Sequence, residues 1–119
     1  MQTVSQLREA CQQLTGSAET FPFGLDTLVL KVGGKVYALI SLNAEPLQLS
    51  LKCDPERAEA LRQEHPAIVP GYHLNKSHWN TLTLDGSLPD PLVQDLLEHS
   101  YALVVKSLTK VQRAELDND

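Results

Sequence analysis

Leu47-Gln48-Leu49-Ser50-Leu51-Lys52 alternates apolar and polar side chains without a break. An extended strand sends successive side chains to opposite sides, so this stretch calls for a sheet with one buried face and one wet face. Two more strand-like runs precede it. Leu28 to Val32 and Val36 to Leu42 flank Gly33-Gly34, and paired glycines supply the positive φ angles of a two-residue hairpin. Asn43-Ala44-Glu45-Pro46 then turns the chain into the third run. Three consecutive antiparallel strands form a meander whose polar face stays wet unless a ligand covers it.

The apolar face needs a cover, and three helical patterns supply it. Thr3 caps a helix with Val4, Leu7, Cys11 and Leu14 at spacings of three and four, ended at Gly16. Asp54-Pro55-Glu56 combines an N-cap carboxylate, a proline at the first helical position and an acid in the first turn, and Pro66 closes that helix. Asp90-Pro91 repeats the device and opens a long helix with Leu92, Val93, Leu96, Leu97, Val104, Val105 and Leu108 on one side. Ile68-Val69 and the alternating run Thr81 to Leu84 add one or two strands between the second and third helices. Phe21 and Phe23, on either side of Pro22, are expected to plug the edge of the core, and the acidic tail from Gln112 is expected to fray. The expected fold is one α+β domain over residues 1–119: a two-layer sandwich with a mostly antiparallel sheet, in the order α-β-β-β-α-β(β)-α.

Composition narrows the function classes. With 42% hydrophobic and 21% charged residues the 119-residue chain suits a soluble globular protein. No apolar run approaches the ~20 residues that span a bilayer, and no signal peptide is visible, so cytoplasmic residence without membrane contact is expected. Cys11 and Cys53 form no CxxC pair and read as reduced thiols. The net charge of −5 does not favour nucleic acid, but its distribution is uneven. Residues 79–119 hold three bases against seven acids, whereas residues 31–78 hold six bases against five acids and three of the four histidines.

Chemistry-bearing groups concentrate in Pro70-Gly71-Tyr72-His73-Leu74-Asn75-Lys76-Ser77-His78-Trp79-Asn80. A metal site built on His73 and His78 with Asp85 or Cys53 lacks any established ligand spacing. Cys53 at a helix start could be a reactive thiol, but no base adjoins it. The chain has no phosphate-binding loop and no Gly-x-Ser-x-Gly, and Ser77 beside His78 points the opposite way on a strand. No catalytic motif, metal or cofactor is therefore assigned. Lys31, Lys52, Tyr72, His73, Asn75, Lys76, His78, Trp79 and Asn80 remain, and cations interleaved with rings suit phosphates and bases. Alternation places His78 and Asn80 on one face, with Trp79 on the other and directed into the core.

At these residues the chain resembles the MmcQ/YjbR-like family. The resemblance rests on Phe21-Pro22-Phe23-Gly24, Lys31-Val32-Gly33-Gly34-Lys35, Leu51-Lys52-Cys53-Asp54-Pro55, the long central motif, and Ser100-Tyr101-Ala102-Leu103-Val104. It implies an α+β sandwich similar to secretion chaperones and frataxin-like proteins. It also implies DNA binding through two hairpin wings, here the Gly33-Gly34 hairpin and the ribbon from His73 to Trp79. The expected activity is thus non-enzymatic binding of DNA by a monomer, with Lys31, Lys35, Lys52, Lys76 and His78 on phosphates. Asn75 and Trp79 would meet bases or sugars. The alternative partner is a protein or peptide lying on the exposed sheet face.

Overall fold

Alternation in the meander is realised strand by strand. The computed structural model describes residues 1–71 and 74–117. Its elements are α1 (Val4–Gln12), β1 (Ala18–Thr20), β2 (Thr27–Val32), β3 (Lys35–Ser41), β4 (Gln48–Lys52), α2 (Pro55–Glu64), β5 (Ile68–Pro70), β6 (Trp79–Thr83), α3 (Asp90–Ser107) and α4 (Lys110–Asp117). The strands form one sheet in the order β1-β2-β3-β4-β6-β5, and every neighbouring pair is antiparallel. The register aligns Leu28 with Ile40, Ile40 with Leu49, and Leu49 with Leu82, which also pairs with Ile68. This row forms the buried face. Val93, Leu96, Leu97 and Val104 of α3, Ala58 and Leu61 of α2, and Leu7 and Cys11 of α1 join it in one core, and Leu116 of α4 packs on its margin. Each leucine fully withdrawn from water contributes roughly 1.5–3 kcal/mol, so this face holds the layers together.

Among the described residues no helix lies on the opposite face of the sheet. Thr27, Leu39, Ser41, Gln48, Ser50, Lys52, Trp79 and Thr81 take the alternate positions. The two edge strands are three residues each.

Three expectations are corrected. Phe21 and Phe23 do not plug the core; they flank β1's exit and lie exposed, Phe23 at 74%. Asp90 is the first residue of α3 rather than its cap, and Pro89 at the cap position makes no side-chain bond. Residues 110–117 form a helix instead of fraying, because Thr109 and Gln112 cap it reciprocally: Gln112 N–H donates to Thr109 Oγ1 (3.1 Å) and Thr109 N–H to Gln112 Oε1 (2.9 Å).

One irregularity shapes the sheet. Leu30 pairs with Ala38 but Lys31 with Val36, so Tyr37 is an extra residue in β3. Such a bulge re-aims its side chain. The Tyr37 ring turns into the helix layer, edge-on to Tyr101 with centroids 5.5 Å apart, and its hydroxyl meets Ser17. Burial there pushes the Tyr37 phenol far above its ordinary range. The bulge also interrupts the ladder beyond Ala38–Leu51, where Tyr37 would next face Lys52. Ser100 of α3 fills the gap: Lys52 N–H donates to its Oγ (2.9 Å), and its hydroxyl donates to the Tyr37 carbonyl (2.6 Å).

Ser100→Ala is therefore expected to cost about 1–3 kcal/mol, the penalty for two backbone groups left without a partner in a buried place. Urea unfolding should show a lower midpoint at an unchanged slope. A midpoint equal to the parent's would show that the two strands close on each other without the hydroxyl.

Candidate functional site

Antiparallel pairing brings the C-terminal ends of β2 and β4 beside the N-terminal end of β6, so Lys31, Lys52 and Trp79 gather at one end of the open face. Lys52 is the direct cross-strand partner of Trp79. The connection from β5 to β6 lies at the same end and carries Asn75, Lys76 and His78, all exposed. Asn75 shapes this loop: its Oδ1 accepts from Ser77 N–H (2.9 Å) and its carbonyl from His78 N–H (3.2 Å). The His78 carbonyl in turn accepts from Cys53 N–H (2.7 Å), which ties the loop to the end of β4. Tyr72 and His73, expected in the site, lie outside the described residues.

Arg62 of α2 holds this region from behind. Its Nε donates to Asn80 Oδ1 (2.6 Å), and its Nη2 donates to the carbonyls of Trp79 (3.2 Å) and Lys76. Asn80 Nδ2 reaches the Ala58 carbonyl (3.4 Å). Here the expected faces are reversed. Asn80 is 2% exposed and faces the helices, whereas Trp79 stands half-buried on the open face. A buried amide is tolerable because Arg62 and Ala58 satisfy it. Asn80 is thus a structural anchor and leaves the candidate surface. Gly71 lets the chain pass close to the Trp79 backbone: a Cβ there would approach Trp79 Cβ to 2.9 Å and its carbonyl oxygen to 3.2 Å.

Lys35 also leaves the surface. It pairs with Val32, whose side chain is in the core, and its Nζ turns to the end of α3, donating to the Ser107 carbonyl (3.2 Å) and Oγ (3.4 Å). A cation suits that negative helix terminus. Gln112 Nε2 binds the Gly33 carbonyl (3.3 Å), so the Gly33-Gly34 tip is fastened to the helices rather than projecting as a wing.

Charge is segregated between the layers. Glu19 is the single carboxylate carried by the six strands; it pairs with Leu30 on the helix side, where Arg8 grips it with two bonds of 2.7 and 2.9 Å. Those bonds hold the Glu19 carboxyl below the usual carboxylate range. Lys31 and Lys52 are the ionisable groups of the open face, while Glu56, Glu59 and Glu64 ride on α2 and Asp95 and Glu98 on α3. The middle of the open face is a groove of about 530 Å³ floored by Leu39, Ser41, Gln48, Ser50 and Thr81 and bordered by Phe23 and Leu74. Ser50 and Thr81 hydroxyls share a 2.9 Å hydrogen bond across it. Phe23 was missed as a site residue because an aromatic beside proline reads as core. Phe21 and Leu25 recur on either side of it at strand spacing, so no local signal set it apart from a core residue.

Cys53 is buried, and burial pushes its thiol up, the reverse of what a nucleophile needs. Among the described residues no three His, Cys, Asp or Glu side chains converge as a metal cluster. No described helix is long and apolar enough to cross a membrane.

Fold and surface together define an α+β domain with one helix-covered face and one open face whose strands, among the described residues, present no carboxylate. The chain belongs to the YjbR family, whose model matches residues 12–103. It is 36% identical over 111 residues to the YjbR protein of Escherichia coli (strain K12), covering 93% of this chain and 94% of that protein. It is 40% identical over 91 residues to YbdF of Escherichia coli O157:H7, covering 76% and 74% respectively. Among solved structures it is similar to Deinococcus radiodurans protein DR2400, a DUF419 domain, with a TM-score of 0.93 and 55% identity over 98% of this chain and 89% of that one. A Pseudomonas syringae protein shares the fold at a TM-score of 0.72 and 29% identity, over 85% and 97% of the two chains.

Two outcomes follow from this geometry. In thermal melts Arg62→Ala should cost about 1–3 kcal/mol, since Asn80 Oδ1 and the Lys76 carbonyl lose their donor while the Trp79 carbonyl keeps Gly71 N–H; Lys76→Ala and His78→Ala should stay within about half a kilocalorie. Trp79→Ala should fall short of the ~3–5 kcal/mol typical of a core tryptophan; a collapse of that variant would return the ring to the interior.

The second outcome concerns His99 of α3, whose Nε2 accepts from Asp54 N–H (3.2 Å) and must be neutral to do so. Burial, then Arg57, lowers its pKa, against weaker opposing effects of Asp95 and Asp54. A histidine depressed below its unfolded value of about 6.5 contributes stability that is complete above that pH and is lost as pH falls through the folded value. Unfolding free energy should therefore drop below about pH 6.5, and His99→Gln should flatten that part of the profile. An identical profile in the variant would remove His99 as the cause.

Proposed function

We propose that this chain is a non-enzymatic binding domain that takes a nucleic acid on the open face of its sheet. The observation that carries the reading is the face itself: among the described residues its strands bear Lys31, Lys52 and the half-buried Trp79 and no carboxylate, while Glu19 faces the helices and the other acids lie on helices and turns. Cations that meet phosphates and a ring that meets bases are the two elements such a surface needs. DNA is the form that the family resemblance suggests. The arrangement differs from a pair of wings, because the Gly33-Gly34 tip and Lys35 are committed to α3 and α4. A second reading, a protein or peptide on the same face, draws on the exposure of Phe23 (74%) and Leu25 (80%) beside it.

Labelled oligonucleotides titrated at two ionic strengths test the reading. Three phosphate contacts, from Lys31, Lys52 and Lys76, give a slope of log K against log salt of about −2 to −3. Exchanging Lys31 and Lys52 for glutamate should abolish binding while leaving the melting temperature near the parent's. Absence of binding at micromolar protein, or binding indifferent to salt, sinks the proposal and moves the peptide reading to the front.

A further inference from the structure

Resting on the nucleic-acid reading above, we infer that the ligand is single-stranded, held by its bases against the sheet rather than by the grooves of a duplex. A duplex hides the flat faces of its bases and offers groove edges, which are read by a projecting helix or two-stranded ribbon. The helices lie on the far side of the sheet, and the Gly33-Gly34 ribbon is fastened to them by Gln112 and Lys35. The open face offers what an unpaired strand uses instead: an exposed ring and a half-buried one along a groove of mixed polarity, with cations beside them.

Two rings stand at separate places on that face. Trp79 occupies the lysine end next to Lys52, and Phe23, 74% exposed, borders the central groove. Between them Ser41, Gln48 and Ser50, all half-buried, present hydroxyl and amide groups at the level where base edges would lie. The groove's volume of about 530 Å³ is within the range of clefts that accept planar, base-sized groups. Lys31 and Lys52 then lie beside the strand's phosphates, and no acid on the face opposes them. The floor mixes Leu39 with the polar groups of Ser41, Gln48 and Ser50, so it offers both apolar contact for base faces and hydrogen-bonding groups for base edges.

The only tryptophan of the chain is Trp79, so intrinsic fluorescence reports on the site directly. The parent is titrated with oligo(dT) and oligo(U) of about 12 nucleotides, a length within the site sizes of comparable platforms, and with a duplex of equal length. Either single strand should quench Trp79 and bind at least about tenfold tighter than the duplex, and the ratio of the two identifies DNA or RNA as the preferred form. Phe23→Ala should weaken single-strand binding about fivefold to 150-fold with an unchanged melting temperature. Duplex binding equal to or tighter than the single strand, without quenching, overturns this inference and leaves the nucleic-acid reading in place. If neither form binds at micromolar protein, both fall. Unchanged single-strand affinity in Phe23→Ala overturns the role of that ring in stacking.

Discussion

One serine hydroxyl joins the two layers where the ladder between β3 and β4 is broken. Ser100 is completely buried, and its single oxygen accepts from one strand and donates to the next. Remove that bridge and the bulge at Tyr37 leaves a donor and an acceptor unpaired beneath α3, a cost comparable to a sizeable share of a small domain's stability. The bulge cannot be dispensed with, because it sends Tyr37 into the helix layer against Tyr101. The backbone of Lys52, fixed by Ser100, is the strand position that faces Trp79. The end of the open face is therefore held in place by a group on the opposite side of the sheet.

Arg62 acts in the same sense from α2. Its guanidinium ends the polar run of the central motif on the inside, so that Asn80 is drawn inward and Trp79 outward. Both anchors belong to the helix layer, yet each sets the position of a side chain on the opposite surface. Substitutions among the helices can for this reason alter a surface they never touch, by shifting backbone rather than by removing a contact.

The two-layer architecture was readable because it rests on repeated signals. The alternation from Leu47 through the five residues of β4, a glycine pair between β2 and β3, and the Asp54-Pro55 start of α2 each have one structural meaning, and the structure follows them. The site was read less well, and particular residues show why. Hydropathy alone sends Trp79 inward and Asn80 outward; the reverse holds because the partners of Asn80, Arg62 and the Ala58 carbonyl, lie 18 and 22 residues away in sequence. The fate of Lys35 depended on Ser107, 72 residues distant. Local patterns do not record such pairings. The helix from Lys110 was a different failure, since Thr109 and Gln112 carry a legible capping box that the acidic tail obscured.

The brevity of the outer strands has a consequence for how any extended partner must lie. An incoming chain that lengthens a sheet needs a row of free backbone donors and acceptors along a margin, and short strands or prolines deny it that row. Here β1 runs for three residues and is followed after Phe21 by Pro22, while β5 runs for three and finishes at Pro70. Neither margin can template more than a few main-chain bonds. The same feature that guards the chain against edge-to-edge polymerisation thus closes the lateral route to an extended partner, and leaves the flat of the sheet as the surface on which one would have to lie.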